Sequence, residues 1–181
     1  VSHEPDITLH EVGKFLRLAL KSNPTILELL WLPEYTVLTP EGKSLIAIRN
    51  LLVSDRAVRG AYGGYALQQA KRLMQRRGEG KEGFGTVPVN RIAKHARHCG
   101  RLIYLGQQLL ETGEMNLDCT DVREDLFSLG LLAVEDHYGF YGEFQKRMRA
   151  FDDVKSVLAD HPDRGAAEST LIEIRWELLR S

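Results

Sequence analysis

Residues 90–111, NRIAKHARHCGRLIYLGQQLLE, restrict the fold more than any other stretch of the chain. At about 100° per residue, Ile92, Ala96, Cys99, Ile103, Gly106 and Leu110 share one apolar arc, while Arg97, Gly100, Tyr104, Gln108 and Glu111 lie on the opposite side. This is the pattern of a partly buried helix. Asn90 suits its N-cap, since its side-chain oxygen accepts from a backbone N–H that the first turn leaves unpaired, and Gly113 after Thr112 suits its end. Beside the apolar arc runs a second stripe, Arg91, Lys94, His98 and Arg101 with His95 next to them, which continues as Leu105 and Leu109. A stripe that turns apolar faces protein, and long cations are rarely buried without partners. Two readings follow: the cations snorkel or pair with carboxylates, or they wall a cleft that holds an anion such as a polyphosphate through charge-assisted hydrogen bonds.

A chain of 181 residues, 43% hydrophobic, is long enough to bury a core of one domain or slightly more. Its 24 Lys and Arg nearly cancel 25 Asp and Glu, so binding to a nucleotide or nucleic acid has to come from local clustering and not from a global field. Two cysteines, Cys99 and Cys119, give no disulfide framework, and Cys99 on the apolar arc reads as a small core residue in a reducing compartment. No apolar run approaches the ~20 residues of a membrane span, and no signal peptide opens the chain, so a cytoplasmic location is the default expectation. The sequence begins Val1-Ser2-His3 without a methionine, which suggests the later part of a longer polypeptide.

Along the chain, Thr8-Leu9-His10-Glu11 has the form of a capping box, predicting a helix from Leu9 with Leu9, Val12, Phe15, Leu16, Ala19 and Leu20 inside and His10, Lys14, Arg17 and Lys21 in a basic line. Asp6 just precedes it and suits the positive end of the helix dipole. Ser22-Asn23-Pro24 ends this helix and begins another element. Residues 25–32, TILELLWL, read as core in helix or strand; Pro40-Glu41-Gly42 reads as a turn, and 45–52 as helical. Ser54 caps a long helix to about Arg77 with Val58, Tyr62, Tyr65, Gln69 and Leu73 in one stripe. Gln69 in that apolar stripe needs partners, either another helix or a substrate. The glycine-rich stretch 78–86 has neither Walker A nor dinucleotide-binding spacing and reads as a flexible loop. After an extended segment at 115–119, residues 121–158 give two or three helices punctuated at Gly139 and Gly142. His161-Pro162-Asp163 is a turn, and 166–179 a terminal helix docked by Leu171, Ile174, Leu178 and Trp176.

His95 and His98 stand three apart beside Cys99, but Cys99 points into the apolar arc and no second pair has zinc spacing. Neither a GxSxG elbow nor a Cys-His pair with an orienting carboxylate is present.

The run from Asp6 to Trp31, DITLHEVGKFLRLALKSNPTILELLW, resembles the segment around the third catalytic carboxylate of a nucleotidyltransferase family in the DNA polymerase β superfamily, some members of which are associated with RNA repair. Gly64-Tyr65 with Gln69, and Lys94-His95-Ala96-Arg97-His98 with Arg101-Leu102, resemble its helical portion, so that the likeness extends to about Gly113. The resemblance implies an α+β, predominantly helical fold: part of a nucleotidyltransferase palm over residues 1–52, then a helical substrate-binding bundle over 53–181. It implies metal-dependent transfer of a nucleotidyl group from an NTP to a hydroxyl, such as an RNA end, with Mg²⁺ as cofactor. Asp6 would then serve as catalytic carboxylate and metal ligand, and Lys94, His98, Arg101, Lys14 and Gln69 would bind the nucleotide. The superfamily's Gly-Ser motif and paired acids are missing from the chain, and Asp6 by itself cannot position two Mg²⁺ ions. The expectation is therefore a chain incomplete for catalysis, or else a non-catalytic nucleotide- or RNA-binding helical module.

Overall fold

The computed structural model describes residues 7–78 and 89–180. Among them no strand occurs; regular structure is entirely helical. The elements are α1 (Val12–Ala19), α2 (Pro24–Glu28), α3 (Pro40–Ala47), α4 (Arg49–Leu52), α5 (Asp55–Val58), a π-helical turn (Arg59–Gly63), α6 (Gly64–Gly78), α7 (Val89–Thr112), α8 (Arg123–Glu135), α9 (His137–Asp152) and α10 (Arg164–Arg180).

The expected α+β fold, with a piece of palm sheet near the N-terminus, is thus corrected. The segments that could have been strands carry helix starts instead. Asn23 caps α2 by accepting from the Ile26 N–H, with Pro24 at the first helical position. Thr39 caps α3 in the same way, again followed by proline, so Pro40-Glu41-Gly42 opens a helix where a turn was expected. Ile26, Leu27, Leu30 and Trp31 are buried in succession without the alternation that a half-covered strand would show.

The first helix starts later than the capping-box reading placed it. Glu11 is the N-cap: its carboxylate accepts from the N–H groups of Gly13 (2.9 Å) and Lys14 (2.8 Å), and these bonds hold its pKa below the ordinary value. Leu9 therefore lies outside the helix, 89% exposed, whereas Leu16 and Ala19 enter the core as the spacing predicts. Ser54 caps the next helical stretch as expected, and Gly113, at φ +73°, closes α7 in the left-handed conformation that glycine adopts at least cost.

The core runs from Leu16 in α1 to Ala167 in α10, with α7 at its centre. Every residue of the predicted apolar arc is buried, and so are Leu105 and Leu109 of the second stripe. Gly100, expected on the exposed side, is buried as well, because α8 packs there. A Cβ at Gly100 would meet the Leu126 and Leu129 methyls at 2.8 Å. On another side, a Cβ at Gly106 would come within 2.8 Å of Tyr62 Cβ in the π turn. Helix α7 is thus clasped from more than one direction.

The π turn also moves the buried face of α6. Its extra residue slips the stripe by one position after Tyr62, so that Ala66 and Ala70 are buried where Tyr65 and Gln69 were expected. Arg59 in this turn donates to the carbonyls of Phe151, Asp152 and Val154 at 2.9, 3.0 and 2.7 Å, satisfying the C-terminal end of α9. The break between α8 and α9 falls at Asp136, which caps Tyr138 and Gly139; Gly139 and Gly142 lie inside α9 and are not punctuation. In α10 the docking residues are Ala167, Thr170 and Ile174, with Leu171 half-buried, whereas Trp176 and Leu178 are exposed. No described helix is long and apolar enough to cross a membrane. Asp6 and residues 79–86 of the glycine-rich stretch lie outside the described residues.

Candidate anion-binding clefts on the central helix

Helix α7 presents its cations to two adjoining hollows. The first, about 880 Å³, lies between α6 and α7 and is lined by Tyr65, Gln69, Asn90, Arg91, Lys94, His95, Arg97 and His98. The second, about 290 Å³, lies between α7 and α8; Lys94, Arg97, His98 and Arg101 meet Cys119, Arg123, Leu126 and Phe127 there. Lys94, Arg97 and His98 form the wall between them. Among the described residues no carboxylate lines either hollow.

The π turn places Tyr65 and Gln69 here: having been rotated off the core, they face the cleft and not the interior. Tyr65 is 42% exposed and meets His98 edge to face, ring centroids 6.0 Å apart. Gln69 is half-buried, and its amide has no hydrogen-bond partner among the described residues, so it ties no pair of described helices together. His98 is half-buried. Burial first, then the positive Arg101, push its pKa below the ordinary 6.5, with His95 and Lys94 acting in the same direction and Glu28 against it.

Arg101 is engaged. Both ends of its guanidinium bond Glu28 of α2, at 3.1 and 3.0 Å. Burial is the largest influence and opposes its charge, but the Glu28 hydrogen bonds and negative charge, with Cys119, together outweigh it and raise its pKa. Of the two sequence readings of the basic stripe, internal pairing thus describes Arg101. Arg91, Lys94, Arg97 and Arg123 form no ion pair among the described residues.

The structure therefore gathers Lys94, His98 and Gln69 in one cleft and sets Arg101 at the edge of the next. Lys14 lines neither and is exposed on α1. Sequence reasoning passed over Arg97, Arg123 and Phe127. Arg97 fell opposite the apolar arc and read as solvent-facing, a view that α8 overturns by packing on that side. The signal for the others was short, an arginine and a phenylalanine four apart at the start of α8.

Among the described residues no group of three or more His, Cys, Asp or Glu side chains could hold a metal ion. The Mg²⁺ that the family resemblance implies has no donor set there, and Asp6 lies outside them.

Neither the curated proteins nor the solved structures include a match to this chain. A family match does exist, over residues 1–126, which takes in α1 to α7, both hollows except the end residue Phe127, and every residue singled out for a site from sequence. On that match the chain belongs to the RNA repair pathway DNA polymerase beta family (RlaP).

Proposed function

We propose that this chain forms the nucleotide- and RNA-binding wall of a nucleotidyltransferase, which moves a nucleotidyl group from an NTP to a hydroxyl on an RNA end. The observation that carries this reading is the set of four cations without carboxylate partners among the described residues, Arg91, Lys94, Arg97 and Arg123, on two adjoining hollows that no described acid lines. In a chain of net charge −1 this is a local concentration of positive potential, which draws in and orients a polyphosphate.

The larger hollow suits the NTP. Lys94 supplies a mobile point charge for phosphate oxygens, His98 adds an N–H donor, and Gln69 and Tyr65 offer polar groups to the rest of the nucleotide. Arg101 acts as a positioning residue, since its fork on Glu28 fixes α2 against the helix that bears His98. Lys14, on α1, is kept for the RNA backbone or a remote phosphate. A divalent cation, when bound, neutralises charge on the transferred phosphate; Asp6 is this chain's contribution to it in the family reading.

The experiment is nucleotide binding by this chain and transfer by the full-length gene product. Titration with ATP, GTP, CTP and UTP should give saturable binding, weakened about tenfold by Lys94→Ala, the low end for a hydrogen bond to a charged group because Lys94 is exposed. Incubation of the full-length gene product with α-labelled NTP, Mg²⁺ and an RNA oligonucleotide should label the RNA, and Asp6→Asn should abolish labelling while leaving binding intact. Binding without transfer would select the non-catalytic module; no binding of any NTP by the wild-type chain would end the nucleotide reading.

A further inference from the structure

The smaller hollow has a different character from the larger one. Leu126, Cys119 and the ring of Phe127 give its lining an apolar part beside the charged side chains. A polyphosphate has no use for apolar lining, and a volume of about 290 Å³ is at the lower limit for small-ligand pockets. Phe127 is 51% exposed, although a phenylalanine gains nothing from water. Two guanidinium groups flank its ring, Arg97 at 4.5 Å and Arg123 at 5.7 Å from the centroid, and neither has a carboxylate partner among the described residues.

Arg97 is held there by backbone geometry. Its stem lies against Gly130 of α8, where a Cβ would meet Arg97 Cγ at 2.9 Å and the Ala93 carbonyl at 3.0 Å. A glycine at this point lets the arginine lie flat between the two helices and reach the phenylalanine one turn back.

We infer that the α7–α8 groove is a stacking site for an unpaired nucleobase of a single-stranded RNA end, with Phe127 and the guanidinium planes of Arg97 and Arg123 as stacking surfaces. Single-stranded RNA is recognised in this manner, on aromatic rings and arginine planes with cations tracking the backbone, whereas a duplex keeps its base faces covered. Lys94 and His98, shared with the neighbouring cleft, then lie between the stacked base and the nucleotide, so that the strand end and the NTP approach each other across one wall. The inference rests on the transferase reading only for the choice of RNA as the strand; the groove itself is argued from its own residues.

The test is the affinity of the full chain for a short single-stranded RNA, for an abasic strand of the same backbone, for a blunt RNA duplex and for polyglutamate. The expected result is preference for the single strand with bases. Phe127→Ala should weaken it by about 5- to 150-fold, the range for loss of one stacked base, and Phe127→Trp should restore it. Phe127 is half exposed, so the alanine variant keeps the fold. Arg123→Ala should reduce the salt dependence by about 0.7 in slope. NTP binding should be unchanged in Phe127→Ala, because Phe127 does not line the larger cleft. Equal affinity of Phe127→Ala and wild type for the strand, or equal binding of the abasic strand, the duplex or polyglutamate, overturns the proposal and leaves a general anion surface. Loss of NTP binding with persistence of Phe127-dependent RNA binding refutes the transferase reading while the groove stands; the reverse pattern refutes the groove alone.

Discussion

At His98 burial and neighbouring positive charge act together against protonation. It is half-buried beside Arg101, His95 and Lys94, so its proton is disfavoured in the free protein. A bound phosphate reverses this balance, since an anion at hydrogen-bond distance favours the charged imidazolium. The His98 resonances in an NMR titration should therefore have a midpoint below 6.5 in the free chain and a higher one with nucleotide present. An unchanged midpoint would place the nucleotide away from His98. The same shift has a consequence for stability. Because the folded pKa lies below the unfolded value, His98 contributes stability that is fully present above pH 6.5 and lost as the pH falls through its folded value. In the absence of ligand, His98→Asn should accordingly flatten the decline of Tm in that window, while Lys94→Ala, on an exposed side chain, should leave Tm nearly unchanged.

At the scale of elements, glycines divide into those that permit contact and those that cost stability. Gly106 faces Tyr62 Cβ, an atom fixed to the backbone of the π turn, so Gly106→Ala should destabilise by about 1–3 kcal/mol through forced separation of the two helices. Gly100 faces only the methyls of Leu126 and Leu129, which can rotate, and the gain in helix propensity of up to about 1 kcal/mol offsets part of the cost. Gly142 has open space around its Cβ position within α9, so Gly142→Ala should stabilise by about 0.5–1 kcal/mol. Denaturant midpoints of the three variants should rank in that order, and a reversed order of Gly106 and Gly142 would refute the close-approach argument. These glycines also show what periodicity could reveal. The apolar arc of α7, the cap at Ser54 and the stop at Gly113 were legible because each is a local signal. Burial of Gly100 was not, because a residue without a side chain carries no hydropathy and only its neighbour's packing decides its environment. Tyr65 and Gln69 left the predicted stripe for a similar reason: a π turn changes the period without marking the sequence. TILELLWL stayed open between helix and strand because it is a buried apolar run whose type is set by the Asn-Pro cap before it and not by its own pattern.

In the whole molecule, the helices before Val53 are joined to α7 by two polar seams as well as by apolar packing. One is the Arg101–Glu28 pair. The other converges on Glu114, just beyond α7: its carboxylate accepts from Trp31 Nε1 at 2.9 Å, Arg49 Nη2 at 2.8 Å and Asn50 Nδ2 at 3.0 Å. The Asn50 hydrogen bond, which outweighs the opposing effect of burial, and then the Trp31 hydrogen bond and the charge and hydrogen bond of Arg49 hold its pKa below 4.5. Stability from this seam is thus present above pH 4.5 and lost as the pH falls through the lowered value. Glu114→Ala strands the N–H of Trp31, a residue only 6% exposed, and leaves Arg49 without its carboxylate. Half the Glu114 side chain is in solvent, so the expected cost is about 1–3 kcal/mol and not the sum of three buried charged hydrogen bonds. The larger effect should be local. Hydrogen exchange in α1 to α4 should quicken in Glu114→Ala and more so in Glu114→Ala/Arg101→Ala, whereas α8 and α9, joined to each other by the Arg147–Asp125 pair, should keep their protection. Nucleotide affinity should survive Glu114→Ala, because the cleft is built from α6 and α7 with no residue of that seam in its lining. Uniform loss of protection across all helices would instead mean that the N-terminal helices and the cleft-bearing helices fold as one inseparable unit.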